Sequence, residues 1–366
     1  MKFSCEKQLL YNAISTASRA AAVKSTTPAL EGLLISAGLD ISITGYDLKK
    51  GIHTRFEADI QENGSLILNA RLFTEIVRNL PDGIVNITAD ADGMCRIRCG
   101  KADYKIMGMD AEDYPELPTV DNQGSVSIPQ SLIRKMITET IFAISDNENR
   151  PVYMGSLLTI EKGIFTIVSV DGYRLALRRE PIKSSEMDGV SFVVPGEALK
   201  ELEKICSDTE EMVMITLGSR HISFSIDDTI LISRRIEGEF MDYTKSVPTE
   251  FTIQIKVDRS ELLRVVDRVS LVITDEKTKS PVKCLVDDCA IKMYCVTALG
   301  TAEDVCIGTG QGGELEIGFN NRYLRDAFKG APAEEMLICL NSSSSPCVVL
   351  PVEGDAFLYM ILPVRL

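Results

Sequence analysis

One pattern of residues occurs three times along this 366-residue chain, and it restricts the possible folds more than any other feature. The middle copy, residues 191–226, reads as a strand at Phe192–Val194 followed by a helix. In that helix Ala198, Leu199, Leu202 and Ile205 recur at helical spacing. An alternating stretch from Met212 to Leu217, a turn at Gly218–Ser219 and a strand at His221–Ile226 complete it. The first copy is SLILNARLFTEIVRNLPDGIVNITAD, from Ser65, and the third is ELEIGFNNRYLRDAFKGAPAEEMLICLNS, from Glu314. Each helix opens on a capping or helix-starting residue: Asn69, Pro195 or Asn320. Aligning Leu72, Leu199 and Leu324 gives spacings of 127 and 125 residues. Solenoid repeats run roughly 20 to 50 residues, so this period implies tandem domains.

A second strand–helix unit lies upstream of each copy, opening with FSCEKQLLYNAISTAS at Phe3, VSIPQSLIRKMITETIFAIS at Val126 and IKVDRSELLRVVDRVS at Ile255. The doubled apolar positions Leu9/Leu10, Leu132/Ile133 and Leu262/Leu263 mark the helix in each. The expected fold is therefore α+β, three tandem β-α-β repeats with six helices, and domains at 1–122, 123–248 and 249–366. The segments at 111–124 and 237–250 lack periodicity and read as linkers. They echo each other: Asp113, Tyr114 and Glu116 in the first, Glu239, Phe240 and Asp242 in the second. A linker that repeats implies a docking geometry that repeats. GTGQGG, at 308–313, precedes a strand rather than a helix, so it reads as a hairpin turn and not a dinucleotide loop.

Ten cysteines are scattered without a CxxC, and only two histidines, His53 and His221, are present. Reduced, buried thiols and no metal or other cofactor are expected. No apolar run reaches the roughly 18 to 20 residues of a membrane span, and MKFSCEKQLL has no signal-peptide core. A cytoplasmic protein with no membrane partner is expected. The net charge of −14 argues against nucleic acid until its distribution is considered. The six helical segments together carry +5, leaving −19 for the strands and loops. No nucleophile elbow, Walker loop, HExxH or paired-cysteine zinc spacing occurs. Asp171 and Arg174 flank an Asp-Gly turn, which is either a β-turn or a catalytic pair. The tail FLYMILPVRL is an apolar strand running to the terminus, where chains are usually polar and frayed, so it needs a docking surface.

The turn SVDGYRLA (169–176), the linker EGEFMDY (237–243), EIGFNNRYL (316–324) and the terminal LPVRL (362–366), in this order and spacing, resemble the bacterial DNA polymerase III beta subunit, the sliding-clamp family, over the whole chain. The resemblance implies a non-catalytic DNA polymerase processivity factor. Such a chain forms a head-to-tail homodimer, a ring with helices inside and strands outside, around duplex DNA without sequence specificity. Its partners would be the polymerase III catalytic subunit, clamp-loader subunits, other polymerases and repair proteins, each bound through a short peptide. The implied peptide pocket, between the second and third domains, comprises Met154, Val170, Gly172, Tyr173, Arg174, Leu175, Met241, Lys245, Ser246, Asn320, Tyr323, Ser344 and Pro346. The tail residues Met360, Ile361, Leu362, Pro363, Val364, Arg365 and Leu366 form its wall. The family often has Thr at Val170 and Pro at Met241, so peptide preference is expected to differ in detail.

For DNA, Lys24 and Tyr153 match family positions. Helix placement adds Arg71, Arg78, Arg134, Lys135, Lys200, Lys204, Arg264, Arg268, Arg322 and Lys329. The dimer seam would bring Tyr104 and Ile106 to Val272 and Ile273 of the other subunit. Two other readings compete: an enzyme with a cleft at Asp171 and Arg174, and a monomeric β-rich peptide-binding module. Mutating the Asp–Arg pair tests the first, and light scattering tests the second.

Overall fold

The computed structural model describes residues 1–182, 187–273 and 280–366. Six α-helices stand among them: α1 (Lys7–Ala17), α2 (Ala70–Asn79), α3 (Gln130–Thr138), α4 (Gly196–Ile205), α5 (Arg259–Val269) and α6 (Asn321–Gly330). Five begin at the residue after a strand, and α6 begins one residue later, after its cap Asn320. Asn69, Asp258 and Asn320 cap their helices by accepting the N–H of Leu72 (3.0 Å), Glu261 (2.7 Å) and Arg322 (2.9 Å). Pro195 ends the strand Val190–Pro195 instead of entering the helix, and α4 starts at Gly196.

The repeat register differs by one residue from the leucine alignment. Counting from the first residue of each helix, Phe73, Leu199 and Leu324 are equivalent and all are buried, whereas Leu72 is 47% exposed. Leu10, Ile133 and Leu262 are likewise the equivalent buried positions upstream, and Leu263 falls one place later. The buried stripe of a helix is wide enough for a neighbouring leucine to imitate it in sequence.

The chain packs as two compact units. The first is built on Met1–Leu132 and Glu201–Arg235, the second on residues 133–182, Asp188–Lys200 and Ile236–Leu366. In the first unit a five-stranded sheet runs in the order Asp59–Glu62, Lys2–Glu6, Ile84–Ala89, Met94–Cys99, Ala102–Met107. An eight-stranded sheet runs Gly124–Pro129, Met212–Leu217, His221–Ile226, Thr229–Arg234, Lys50–Phe56, Ile41–Tyr46, Gly32–Ala37, Gly64–Asn69. Phe3, Leu10, Leu33, Phe73 and Ile97 lie in one core between these elements.

The second unit holds a twelve-stranded sheet. It begins Val190–Pro195, Gly155–Glu161, Ile164–Val170, Arg174–Pro181 and continues through Phe357–Ile361, Cys347–Pro351, Glu335–Leu340 and Ile253–Asp258. It ends Gly300–Gln311, Ala290–Thr297, Val282–Val286, Leu315–Phe319. Repeats are thus stitched edge to edge: Lys50–Phe56 pairs with Thr229–Arg234, and Arg174–Pro181 with Phe357–Ile361, which leaves no unpaired edge at either join.

The glycine run is a strand end rather than a hairpin. Gly300–Gln311 pairs with Ala290–Thr297 through Ile307, then with Ile253–Asp258 from Gly308 onward. A Cβ on Gly308 or Gly310 would lie 2.6–2.9 Å from Ile255 and its neighbours, so only glycine permits the change of partner. Nine cysteines are buried and Cys289 is exposed. Among the described residues no His, Cys, Asp and Glu cluster is placed to hold a metal, and no helix is long and apolar enough to cross a membrane.

Candidate functional site

Arg174 is the centre of the site. It follows the turn Asp171–Gly172–Tyr173, in which Gly172 takes a φ of 92°, a left-handed conformation suited to glycine. Asp171 Oδ1 accepts the N–H groups of Tyr173 (2.9 Å) and Arg174 (3.0 Å), and Oδ2 accepts Arg174 Nε at 3.0 Å. Every bond this carboxylate makes therefore holds the turn. These bonds are those of the β-turn reading of the pair. Arg174 is 5% exposed, and its other two nitrogens donate to Asp326 of α6 and to the Phe142 carbonyl, both at 2.5 Å. Its guanidinium lies 4.6 Å from the Tyr323 ring centroid and 5.5 Å from that of Phe142. Tyr323 in turn stacks with Tyr173 at 6.2 Å. Burial, reinforced by the Asp171 carboxylate, raises the Tyr323 hydroxyl above its ordinary pKa, so the ring stays neutral.

The apolar terminus finds its docking surface here. Tail residues Met360 and Ile361 pair with Leu175 and Arg174. Beyond them the Leu362 N–H donates to the Tyr173 carbonyl (2.8 Å) and the Val364 N–H to the Gly318 carbonyl (2.9 Å). Gly318 leaves room for Leu366, which a Cβ would displace. Val170, Leu175 and Met360 share one buried cluster with Val168 and Val348, against which Tyr153, Phe240 and Met241 pack. Tyr173 is 62% and Leu366 55% exposed, so apolar surface stands open beside this floor. Met154 ends a 3-10 turn, Asn320 caps α6, Lys245 pairs with Asp242 at 3.0 Å, and Ser246 closes the turn before Val247. Ser344 bonds Ser342 at 3.3 Å, and Pro346 precedes the strand Cys347–Pro351. Pro363 lies between the two anchored residues, Leu362 and Val364, and Arg365 follows the second. Phe142 and Asp326, which complete the arginine's shell, were not legible in the sequence. Asp326 lies 152 residues from its partner and carries no local signal.

The helix positions proposed for DNA all face solvent, but they differ in what they touch. Arg78 pairs with Glu75 (2.5 Å), Lys204 with Glu201 (3.0 Å) and Arg322 with Asp326 (3.8 Å). Arg264 and Arg268 share Glu261, at 2.7 and 3.1 Å, and Arg268 also pairs with Asp304. These arginine bonds hold the Glu261 carboxyl below its ordinary pKa. Lys24, Arg71, Arg134, Lys135, Lys200 and Lys329 form no ion pair among the described residues.

Tyr104 and Ile106 lie on Ala102–Met107, the outermost strand of the five-stranded sheet. Lys101 and Lys105 flank that edge, and Arg96 and Arg98 of the neighbouring strand pair with Asp103 on it. Val272 and Ile273 lie not on a strand but at a 3-10 turn, where the Val272 carbonyl accepts Thr297 Oγ1 at 3.0 Å. The strand edge near them is residues 300–307 of Gly300–Gln311, paired on one side only among the described residues. Val305 (40%) and Ile307 (74%) are exposed beside Glu303. The sequence reading missed this edge because its alternation is that of any half-buried strand.

Comparison with known proteins bears on the fold as a whole. Models of the N-terminal, central and C-terminal domains of the DNA polymerase III beta subunit match residues 1–118, 127–242 and 244–365. The Beta sliding clamp of Bacillus subtilis is 30% identical over 377 residues, covering 100% of both chains. A putative DNA polymerase III beta subunit from Eubacterium rectale superposes with a TM-score of 0.95 at 32% identity, covering 100% of both chains. A Pseudomonas aeruginosa sliding clamp bound to griselimycin gives a TM-score of 0.94 at 26% identity, also covering 100% of both. With three tandem clamp domains and full-length likeness to these relatives, the chain belongs to the bacterial DNA polymerase III beta subunit family, the sliding clamps that serve as polymerase processivity factors.

Proposed function

We propose that this chain works as a head-to-tail homodimeric ring that encircles duplex DNA, does no chemistry itself, and tethers polymerases by a peptide held at the Arg174 site. The ordered tail carries the peptide reading. Two backbone bonds fix it against Tyr173 and Gly318, and it walls an apolar floor with exposed rings beside it. Pockets of this kind take an extended segment with apolar anchors. The Pseudomonas relative solved with a bound ligand is in keeping with such a site.

Two half-paired edges support the ring: Ala102–Met107 with its basic neighbours, and residues 300–307 with Glu303, Asp304 and exposed Val305 and Ile307. Unpaired backbone groups and matching apolar content suit these edges to pair between subunits. Tyr104 and Ile106 would then meet residues 303–307, with Val272 and Ile273 beneath. Six cations on or beside the helices, which form no ion pair among the described residues, would attract phosphate without reading bases. Topological linkage, not affinity, would keep the protein on DNA in a cytoplasmic replication complex. Domain boundaries near 122 and 248 follow from the same reading.

The test is retention on nicked circular DNA, with and without a clamp loader and ATP, before and after linearisation. Loader-dependent retention that vanishes on linearisation is the expected result. Equal retention on circles and open-ended DNA would refute the ring. A monomer by light scattering, paired with peptide binding, would favour the peptide-module alternative.

A further inference from the structure

The turn at the Arg174 site occurs a second time in the chain, at residues 47–50. Asp47 Oδ1 accepts the N–H groups of Lys49 (2.9 Å) and Lys50 (2.8 Å), and its Oδ2 accepts Lys50 Nζ at 2.8 Å. This is the bonding of Asp171 with lysine in place of arginine. Leu48, with φ 71°, occupies the left-handed position that Gly172 holds in the other turn. The Arg234 N–H donates to the Lys49 carbonyl at 3.0 Å, as Leu362 does to Tyr173. The bridge Ile67–Met109 matches Val193–Ile236, and after each bridge the linker lays an aromatic ring, Tyr114 or Phe240, on the sheet.

Beside this first turn lies a cleft of about 380 Å³ with Leu34, Thr44, Tyr114 and Leu117 in its walls. That volume is within the ~300–1,000 Å³ of ligand sites. Its chemistry differs from that of the Arg174 site. By strand register Thr44 stands where the other copy has Val168, and Gly51 where it has Leu175. The chain's own Leu117 fills the space a side chain on Gly51 would need. Glu112 and Glu116, both exposed, line the mouth. Tyr46 stands where that copy has Val170, so Tyr46 and Leu117 fill the floor, which is thus shallower and more polar, and the rim is negative.

We propose that this cleft is a second peptide-binding site, diverged from the Arg174 site to take a short extended segment with Lys or Arg beside a small apolar residue. The inference rests on reading the Arg174 site as a peptide site. Carboxylates at the rim select basic side chains, and the shallow floor admits one small apolar group.

The test uses two fluorescent hexapeptides on the full-length protein, one apolar and uncharged, the other with lysines flanking a single alanine or valine. Both are titrated by anisotropy against the parent, a Pro363–Leu366 deletion, and a Glu112→Gln, Glu116→Gln variant. The glutamates are exposed, so their substitution leaves folding intact. The lysine peptide is expected to bind the parent and the deletion equally, and to weaken about threefold to tenfold in the double glutamine variant. The apolar peptide is expected to lose binding only in the deletion. The second site is overturned if the lysine peptide does not bind, if it is insensitive to both glutamine substitutions, or if the tail deletion abolishes its binding. Failure of the apolar peptide alone would instead overturn the reading of the Arg174 site.

Discussion

Replacing Arg174 with methionine keeps most of its volume while deleting its three charge-assisted contacts, so the arginine's electrostatic role can be measured directly. The substitution leaves Asp171 (12% exposed) with only its two backbone N–H bonds, Asp326 (27% exposed) with only the longer Arg322 contact at 3.8 Å, and the Phe142 carbonyl without its donor. Breaking one side of a buried ion pair costs about 3–5 kcal/mol. Asp326 can partly rehydrate, so the lower end applies, about 3 kcal/mol. Asp326→Asn alone removes one charge-assisted bond, about 1.5 kcal/mol. In the double variant the stranded carboxylate is gone, so the combined loss should stay near 3 kcal/mol rather than reach the additive figure of about 4.5. Urea denaturation followed by circular dichroism gives all four corners of the cycle, with midpoints compared only where the slopes agree. An Arg174→Met variant within about 1 kcal/mol of the parent, or strict additivity in the double, would show that the arginine packs as a side chain and does not act as an electrostatic hub.

Other consequences are as direct. Glu261→Gln should free Arg264, while Arg268 keeps Asp304, and so raise DNA affinity and steepen the logarithmic salt dependence by up to about 0.9; an unchanged slope would mean that Arg264 does not face phosphate. Gly45→Ala would drive a Cβ into the Ala17 carbonyl and should destabilise the first unit by more than about 3 kcal/mol, read as a lowered melting temperature. Burial pushes the thiols of Cys5, Cys95, Cys284 and Cys339 up to about 12 from an ordinary value of 9.0. The folded chain therefore keeps protons that the unfolded chain releases: stability should be intact below pH 9.0 and fall as pH rises towards about 12, by up to about 1.4 kcal/mol per pH unit for each thiol. Thiol titration at pH 8 should accordingly modify Cys289 first and reach the other nine only on unfolding.

The threefold architecture was legible because each strand–helix junction repeats a cap and an apolar stripe, and caps and stripes are local. Asn69 and Asn320 could be assigned on sequence for that reason. Register was less legible: Leu72 and Phe73 are adjacent and both apolar, and only the packed helix shows which one faces the core. The glycine run misled because a strand that changes partners and a turn call for the same residue. Tyr173, Arg174 and the tail could be named from resemblance, yet Phe142 and Asp326 could not, since their roles arise from contacts across 32 and 152 residues of chain. The edge at residues 300–307 was hidden for a similar reason, because a missing neighbour leaves no trace in the strand that lacks it.

The change of partner at Gly308 has a mechanical meaning. Residues 300–307 and 308–311 are one covalent strand, hydrogen-bonded first to Ala290–Thr297 and then to Ile253–Asp258. A pull along the strand at its free edge is not borne by a single hairpin that could peel open one bond at a time. It passes down an inextensible backbone and loads both ladders in shear, with many bonds resisting at once. The third domain is therefore stiff along this strand, and a load applied there is shared by both ladders before either can open.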